Sequence, residues 1–345
     1  MENPNLQNLE KTVPRAAMPQ GSPREARSLE VTPDVQGLLL AIVNVYLVGP
    51  PGAGDRGWAL VDTGFPTSHD EIVSAAERRF GPGSRPAAIL LTHGHFDHVG
   101  CVKRLAELWD APVYVHTLEL PYVTGRSSYP PPDPTVGGGT MATLFSRTFP
   151  KKPIDLGSRV KALPADGSVP GMPGWRWIAT PGHTPGHVSF FRDSDRTLVV
   201  GDAFVTVRQE STSAVFRQKQ EIWRPPAYFT PDWVSAKRSV QELAALEPEV
   251  AATGHGIPMR GEALRSGLEI LSREFDRFIP ARGRYVNHPA RTDESGVVSI
   301  PPPVRDPLPM VLAGLGATAL LGAAMRGRRN RRGGTDRPLE FRPRR

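Results

Sequence analysis

His93-Gly94-His95-Phe96-Asp97-His98 sets three imidazoles and one carboxylate within six residues. That donor mixture suits Zn²⁺, iron or manganese, whereas Ca²⁺ and Mg²⁺ prefer shells made of oxygen alone. Alternate residues of an extended turn point the same way, so His93 and His95 can chelate one ion. Asp97 and His98, further along, face a second position. A solvated histidine-rich loop is the plainer alternative. The cluster follows an apolar run directly, however, and free imidazoles beside a buried strand would need partners.

Such donors need elements to aim them. Residues 88–91 are apolar and short and read as a buried strand, and residues 102–108 carry apolar residues at helical spacing. The cluster is therefore a strand-to-helix loop. Pro181-Gly182-His183-Thr184-Pro185-Gly186-His187 is a second histidine loop, bounded by turn residues. Gly201-Asp202 ends the apolar run at 197–200, and Gly254-His255-Gly256 ends another at 250–252. Open α/β sheets place their chemistry just beyond strand ends. Five of the nine histidines (His93, His95, His98, His183, His255) occupy such positions.

The ordered set His-x-His-x-Asp-His, Pro-Gly-His-Thr-Pro-Gly-His, Gly-Asp and Gly-His-Gly resembles the metallo-β-lactamase-fold hydrolase superfamily, over about residues 35–271. The resemblance implies an α/β fold, a four-layer αββα sandwich with a binuclear metal site at one sheet edge. By position it implies that His93, His95 and His183 hold the first metal and that Asp97, His98 and His255 hold the second. Asp202 would bridge the two. The metals so implied are two Zn²⁺, with iron or manganese as alternatives. Asp62, in Val61-Asp62-Thr63-Gly64, matches the family's early aspartate and with His187 is implied as a support behind the ligands. An ordinary turn aspartate is the other reading of Asp62.

Single residues separate the relatives. β-Lactamases of this fold lack an aspartate where Asp202 stands, and the flavin-coupled diiron enzymes carry glutamate in place of His95. Acyl-homoserine lactonases share the motif, but Ala203-Phe204 replaces the tyrosine that follows their bridging aspartate. Glyoxalase II shares it too, without matching glutathione-binding basic residues. Pro225-Pro226-Ala227-Tyr228-Phe229-Thr230 followed by Asp232-Trp233 resembles a bacterial subgroup of generic hydrolases, which implies no substrate.

The chain has 345 residues and a formal net charge of +7. Residues 326–345 hold nine arginines against Asp336 and Glu340, so the first 325 residues are neutral. The basic charge belongs to the tail. That argues against a nucleic-acid partner for the catalytic domain, which would need a basic face around its site. Cys101 is the only cysteine, so no internal disulfide forms, which suits a reducing compartment. It reads as a small buried helix residue rather than a ligand. Residues 1–34 read as a disordered polar arm without an apolar export segment. The expected localisation is therefore cytoplasmic.

Residues 35–283 form the expected catalytic domain. Within it, strands begin at 37–48 and Thr67-Ser68 caps a helix over 69–80. His69 and His116 read as surface or packing residues. Residues 120–155, rich in Pro and Gly, read as a loop or cap near the site. Residues 201–231 hold Arg208, Tyr228 and Phe229, candidates for a substrate pocket. Thr230-Pro231 opens a helix expected to carry Val234, Val240, Leu243 and Leu246 on one face. A second helix is expected over 262–278, then a Pro-rich linker at 284–306. Residues 307–325 run nineteen positions without a charge, ahead of an arginine cluster. Together they suggest an interfacial anchor on an anionic membrane surface. Oligomeric state is not legible.

The expected activity is hydrolysis of a small-molecule ester, thioester or lactone by a metal-bridging hydroxide, with Asp97 or a bound water moving a proton to the leaving group. Two alternatives stand beside it. One is a mononuclear iron persulfide dioxygenase using His93, His183 and Asp202. The other is a non-catalytic, membrane-tethered metal-binding scaffold.

Overall fold

A computed structural model of the chain describes residues 26–306. Seven strands make the first sheet, ordered β1 (Arg27–Thr32), β2 (Val35–Leu40), β3 (Val43–Val48), β4 (Ala59–Val61), β5 (Ala88–Leu90), β6 (Val113–Val115) and β7 (Val160–Ala162). Five make the second. They are β8 (Trp175–Ala179), β9 (Val188–Arg192), β10 (Thr197–Gly201), β11 (Val250–Thr253) and β12 (Met259–Arg260), and they lie in the reverse of that order.

Strands buried on both faces read as unbroken apolar runs, and β3, β4 and β5 are buried at every position. Their side chains alternate between two cores, as the pleat requires. Tyr46, Val48, Val61 and Leu90 meet Val188, Phe190, Val199 and Ala252 between the sheets. Val45, Leu47, Leu60 and Ile89 turn the other way, onto α1 (His69–Phe80) and α2 (Val102–Trp109). On the second sheet, Phe191, Leu198, Val200 and Ala251 pack against α3 (Trp233–Ala245) and α4 (Gly261–Arg273). The layers run helix, sheet, sheet, helix, the αββα sandwich.

Topology gathers the site. β4 pairs with β5 in parallel, and β10 with β11. The chain crosses between these pairs through α1 and α3. The loops after β4, β5, β10 and β11 thus leave the sheets at the ends of parallel strands, where Asp62, the His93–His98 cluster, Asp202 and His255 stand.

Several expectations need correction. The arm at 1–34 ends too late, because Arg27–Thr32 is β1, paired antiparallel with β2. Its buried Leu29 and Val31 alternate with exposed Glu30, a half-buried strand hidden in a polar sequence. The apolar run at 37–48 is a hairpin, broken at Ala41 with φ 60°. Ser68 stands at the N-cap of α1 without capping it, and its Oγ accepts instead from the Phe65 amide at 3.1 Å. Asp232, not Thr230, caps α3, accepting from the Ser235 amide at 3.0 Å. Val234 is 59 % exposed, because that helix buries Trp233, Ala236, Val240 and Leu243. The linker at 284–306 contains a hairpin, β13 (Arg291–Asp293) and β14 (Gly296–Ser299). The segments at 307–325 and 326–345 lie outside the described residues. Among the described residues, no helix is long and apolar enough to cross a membrane.

Candidate metal centre

The seven residues singled out by type and spacing converge. His93, His98, His183, Asp202 and His255 are at most 2 % exposed, while His95 and Asp97 are open to 6 % and 8 %. Their donor atoms fall into three overlapping groups, each within 4.8 Å: His93 with His95 and His183, His93 with His98 and Asp202, and Asp97 with His98 and His255. His95 Nδ1 lies 3.0 Å from His183 Nε2. Asp202 Oδ2 lies 3.1 Å from His255 Nε2, 3.4 Å from His183 Nε2 and 3.7 Å from His98 Nε2.

Behind these donors a supporting layer fixes tautomers. Asp62 Oδ2 accepts from His98 Nδ1 at 2.8 Å and from Thr92 Oγ1 at 2.8 Å, and its Oδ1 accepts from the Thr92 amide. His255 Nδ1 donates to Ile42 O at 2.7 Å. With Nδ1 so engaged, both rings turn Nε2 towards the cluster. His187 is no part of the donor set. Its Nε2 accepts from the Asp202 amide at 2.8 Å, and its Nδ1 faces Thr180 Oγ1 at 2.7 Å. Asp62 and His187 therefore both stand behind the cluster.

Local backbone holds the loops. Asn44 and Tyr46, on β3, reach across and donate to Thr253 O at 2.9 and 2.6 Å. The Asn44 amide donates to Gly254 O at 2.7 Å. Gly254 itself must lack a side chain, since a Cβ there would land on Asp202 Oδ1 and 2.8 Å from His98 Cε1. α3 secures the second histidine loop, with Ser239 Oγ donating to Pro181 O at 2.7 Å.

Electrostatics favour a cation. Burial holds His93 and His183 well below the usual imidazole range and lowers His95 and His187 to about 3, so these rings keep free lone pairs. Burial acts the same way on His98, but the Asp202 and Asp62 carboxylates outweigh it and hold this ring well above its usual range. Burial opposes charge on Asp202, yet His255 and His98 hold that carboxyl well below its usual range. The donor set fits a metal on a further ground. His93 Nε2, His98 Nε2 and Asp202 Oδ1 are buried with no hydrogen-bond partner, an arrangement that costs free energy unless something binds them.

Beside the cluster lies a narrow cleft lined by His95, His183, Tyr129, Pro130, Pro131, Phe229, Pro231 and Tyr285. Of the three residues expected near a substrate, Phe229 lines the cleft, with its ring 4.5 Å from that of His95. Tyr228 is buried and does not line the cleft. Arg208 is exposed, stacks on Trp223 at 4.6 Å, and also stays out of the cleft. Residues 120–155 do reach the site, through Tyr129, Pro130 and Pro131. Cys101 takes no part, and its thiol donates to Thr63 O at 2.9 Å.

Three residues escape a reading of the sequence. Glu119, fully buried, accepts from the Gly94 and Gly186 amides, one in each histidine loop. Tyr129 donates to Glu119 and lays its ring 4.6 Å from His95. Tyr285 reaches the cleft from far beyond the last motif. A lone acidic residue inside the apolar stretch Leu118-Glu119-Leu120 is the one available signal, and it names no partner.

A family model for the metallo-beta-lactamase superfamily matches residues 39–255. The probable metallo-hydrolase YflN of Bacillus subtilis (strain 168) is 51% identical over 255 residues, 74% of this chain and 96% of that protein. The probable metallo-hydrolase YybB of the same organism is 29% identical over 200 residues, 57% of this chain and 74% of that protein. A beta-lactamase domain protein from Burkholderia ambifaria has a TM-score of 0.50 at 20% identity, covering 75% of this chain and 79% of that one, a likeness of fold. Sandwich, motif order and sequence kinship coincide, and the chain belongs to the metallo-beta-lactamase superfamily.

Proposed function

We propose that this protein is a hydrolase of a small ester, thioester or lactone that works with two metal ions, zinc by preference. One observation carries the reading. A single oxygen, Asp202 Oδ2, lies within 3.7 Å of imidazoles from both donor groups, His183 on one side and His98 and His255 on the other. That placement supports Asp202 as the carboxylate both groups would share. His93, His95 and His183 would hold one ion and Asp97, His98 and His255 the other. Ions held there would lower the pKa of a bound water towards ~7 and polarise the substrate carbonyl.

The chain's own groups do the rest. Asp97, at 8 %, is the most exposed member of the cluster. It would be the carboxyl that passes a proton to the leaving oxygen or sulfur. Beyond the histidines, the cleft is walled by three aromatic rings and three prolines, with no charged side chain. That lining suits an uncharged, apolar acyl group. No serine or cysteine nucleophile stands in it.

Metal analysis of purified protein, joined to turnover on a panel of esters, thioesters and lactones, tests the proposal. Two metals per chain and turnover abolished by chelation are expected. Asp97→Ala or His98→Ala should cut kcat at least about 100-fold, within the range lost with one catalytic group, while the protein stays folded. One metal per chain with turnover indifferent to Asp97→Ala would instead favour mononuclear iron chemistry on His93, His183 and Asp202.

A further inference from the structure

Glu119 is fully buried and belongs to neither donor group. An uncompensated carboxylate is costly in such a place. Its compensation comes entirely from the site. Oε1 accepts from the Gly186 amide at 2.8 Å. Oε2 accepts from the Gly94 amide at 3.0 Å and from the Tyr129 hydroxyl. Gly94 stands between His93 and His95, and Gly186 stands between His183 and His187. One side chain thus bridges two loops that belong to different sheets.

The sequence makes room for this bridge. A Cβ at Gly94 would lie 2.7 Å from Tyr129 Oη, and one at Gly186 would lie 2.8 Å from the Glu119 amide nitrogen. Both loops therefore carry glycine where the bridge closes. The other donor group has further anchors of its own, although the His98 amide also donates to His95 O at 2.9 Å. His98 is held by Asp62 through its ring and by Thr63 through its carbonyl. His255 is held by Ile42 O, and its loop by Asn44 and Tyr46.

We propose that Glu119 is a positioning residue that clamps the His95 and His183 loops together, so that His93, His95 and His183 close on one metal. The Asp97, His98 and His255 group forms without it. This rests on the two-metal reading above, and it makes the two ions unequal in what holds them.

The test is zinc titration of the metal-free full-length protein against a chromophoric chelator. Heteronuclear NMR of the imidazole rings reports the two groups separately. In Glu119→Gln one loop amide must face an amide nitrogen instead of an oxygen. Affinity at His95 and His183 should fall about 10- to 100-fold, the usual cost of losing a group behind a ligand, with less than about threefold change at His98 and His255. Tyr129→Phe keeps its ring against His95 and should give a smaller loss at the same group. A purely structural carboxylate would weaken both groups alike. Equal losses, or none at either, overturn the clamp. If Glu119→Gln does not fold, Tyr129→Phe makes the same comparison. If the wild-type protein binds one ion only, the two-metal reading fails. The clamp then stands if that ion sits on His95 and His183 and is weakened by Glu119→Gln, and falls if it sits on His98 and His255.

Discussion

Gly254 shows how tightly the residue scale is set. Any side chain there would collide with Asp202 and His98, so the requirement is steric rather than conformational. Gly254→Ala should cost about 10- to 100-fold in metal affinity, because it displaces two proposed ligands at once. Chelator competition, with circular dichroism as the check on folding, measures it. Cys101 gives a second prediction. Burial pushes its thiol up to about 12, so it is protonated at neutral pH, and only the thiolate reacts. A disulfide reagent should leave native protein untouched and titrate one thiol on unfolding. Rapid labelling of native protein would contradict the buried placement. The donor residues were legible in the sequence because polar ligands in short spacings stand out against apolar strands. Glu119 was not, because its partners are backbone amides far away in the chain, and those leave no mark on residue type.

At the scale of elements, the decisive piece lies past the last motif. The Tyr285 hydroxyl donates to Pro131 O at 2.8 Å, the Ala290 amide to Pro231 O at 3.1 Å, and the Val297 amide to Ser127 Oγ at 3.1 Å. The segment around β13 and β14 therefore latches onto the loops that wall the cleft. It also lies beyond residues 39–255, which the superfamily model matches. If the cleft takes the acyl group, Tyr285→Leu should shift preference towards longer acyl chains. Each methylene newly accommodated should gain about fourfold in kcat/KM, the equivalent of ~0.8 kcal/mol. An unchanged preference across a series of homologous esters would exclude Tyr285 from specificity. Strands β2, β3, β5, β10 and β11 were legible from their apolar runs. β1 was not, because only two buried residues, Leu29 and Val31, mark it. Nor was the outward turn of Val234, which depends on where the cap at Asp232 starts the helix.

For the whole molecule, charge is divided along the chain. Residues 1–325 carry no net charge, and the surplus of seven lies in residues 326–345. A chain truncated after Pro303 should therefore leave oligonucleotides unshifted in low-salt electrophoresis. Salt-sensitive binding by that chain would reveal a basic face that composition conceals. In the full chain, the uncharged run at 307–325 and the arginines after it remain a proposal for anionic lipid. Sedimentation with anionic vesicles, compared with the truncated chain, decides it.

The donor set has one more property. His93, His95, Asp97 and His98 follow a strand of the first sheet, while His183, Asp202 and His255 come from the second. Neither half of the sandwich can assemble the centre alone. Contacts so distant in sequence form late in folding, since the loops they close are costly to close. The centre should thus mature late during synthesis, completed only once β11 has emerged. Until then the nascent chain presents no finished trap for metal. A metal held by donors from both sheets would seal the seam, stabilising the folded state by about 4 kcal/mol at a thousandfold excess over Kd. Limited proteolysis should reveal that seal. Chelated protein should be cut first in the connection between β7 and β8, where the chain passes from one sheet to the other, and metal-replete protein should resist.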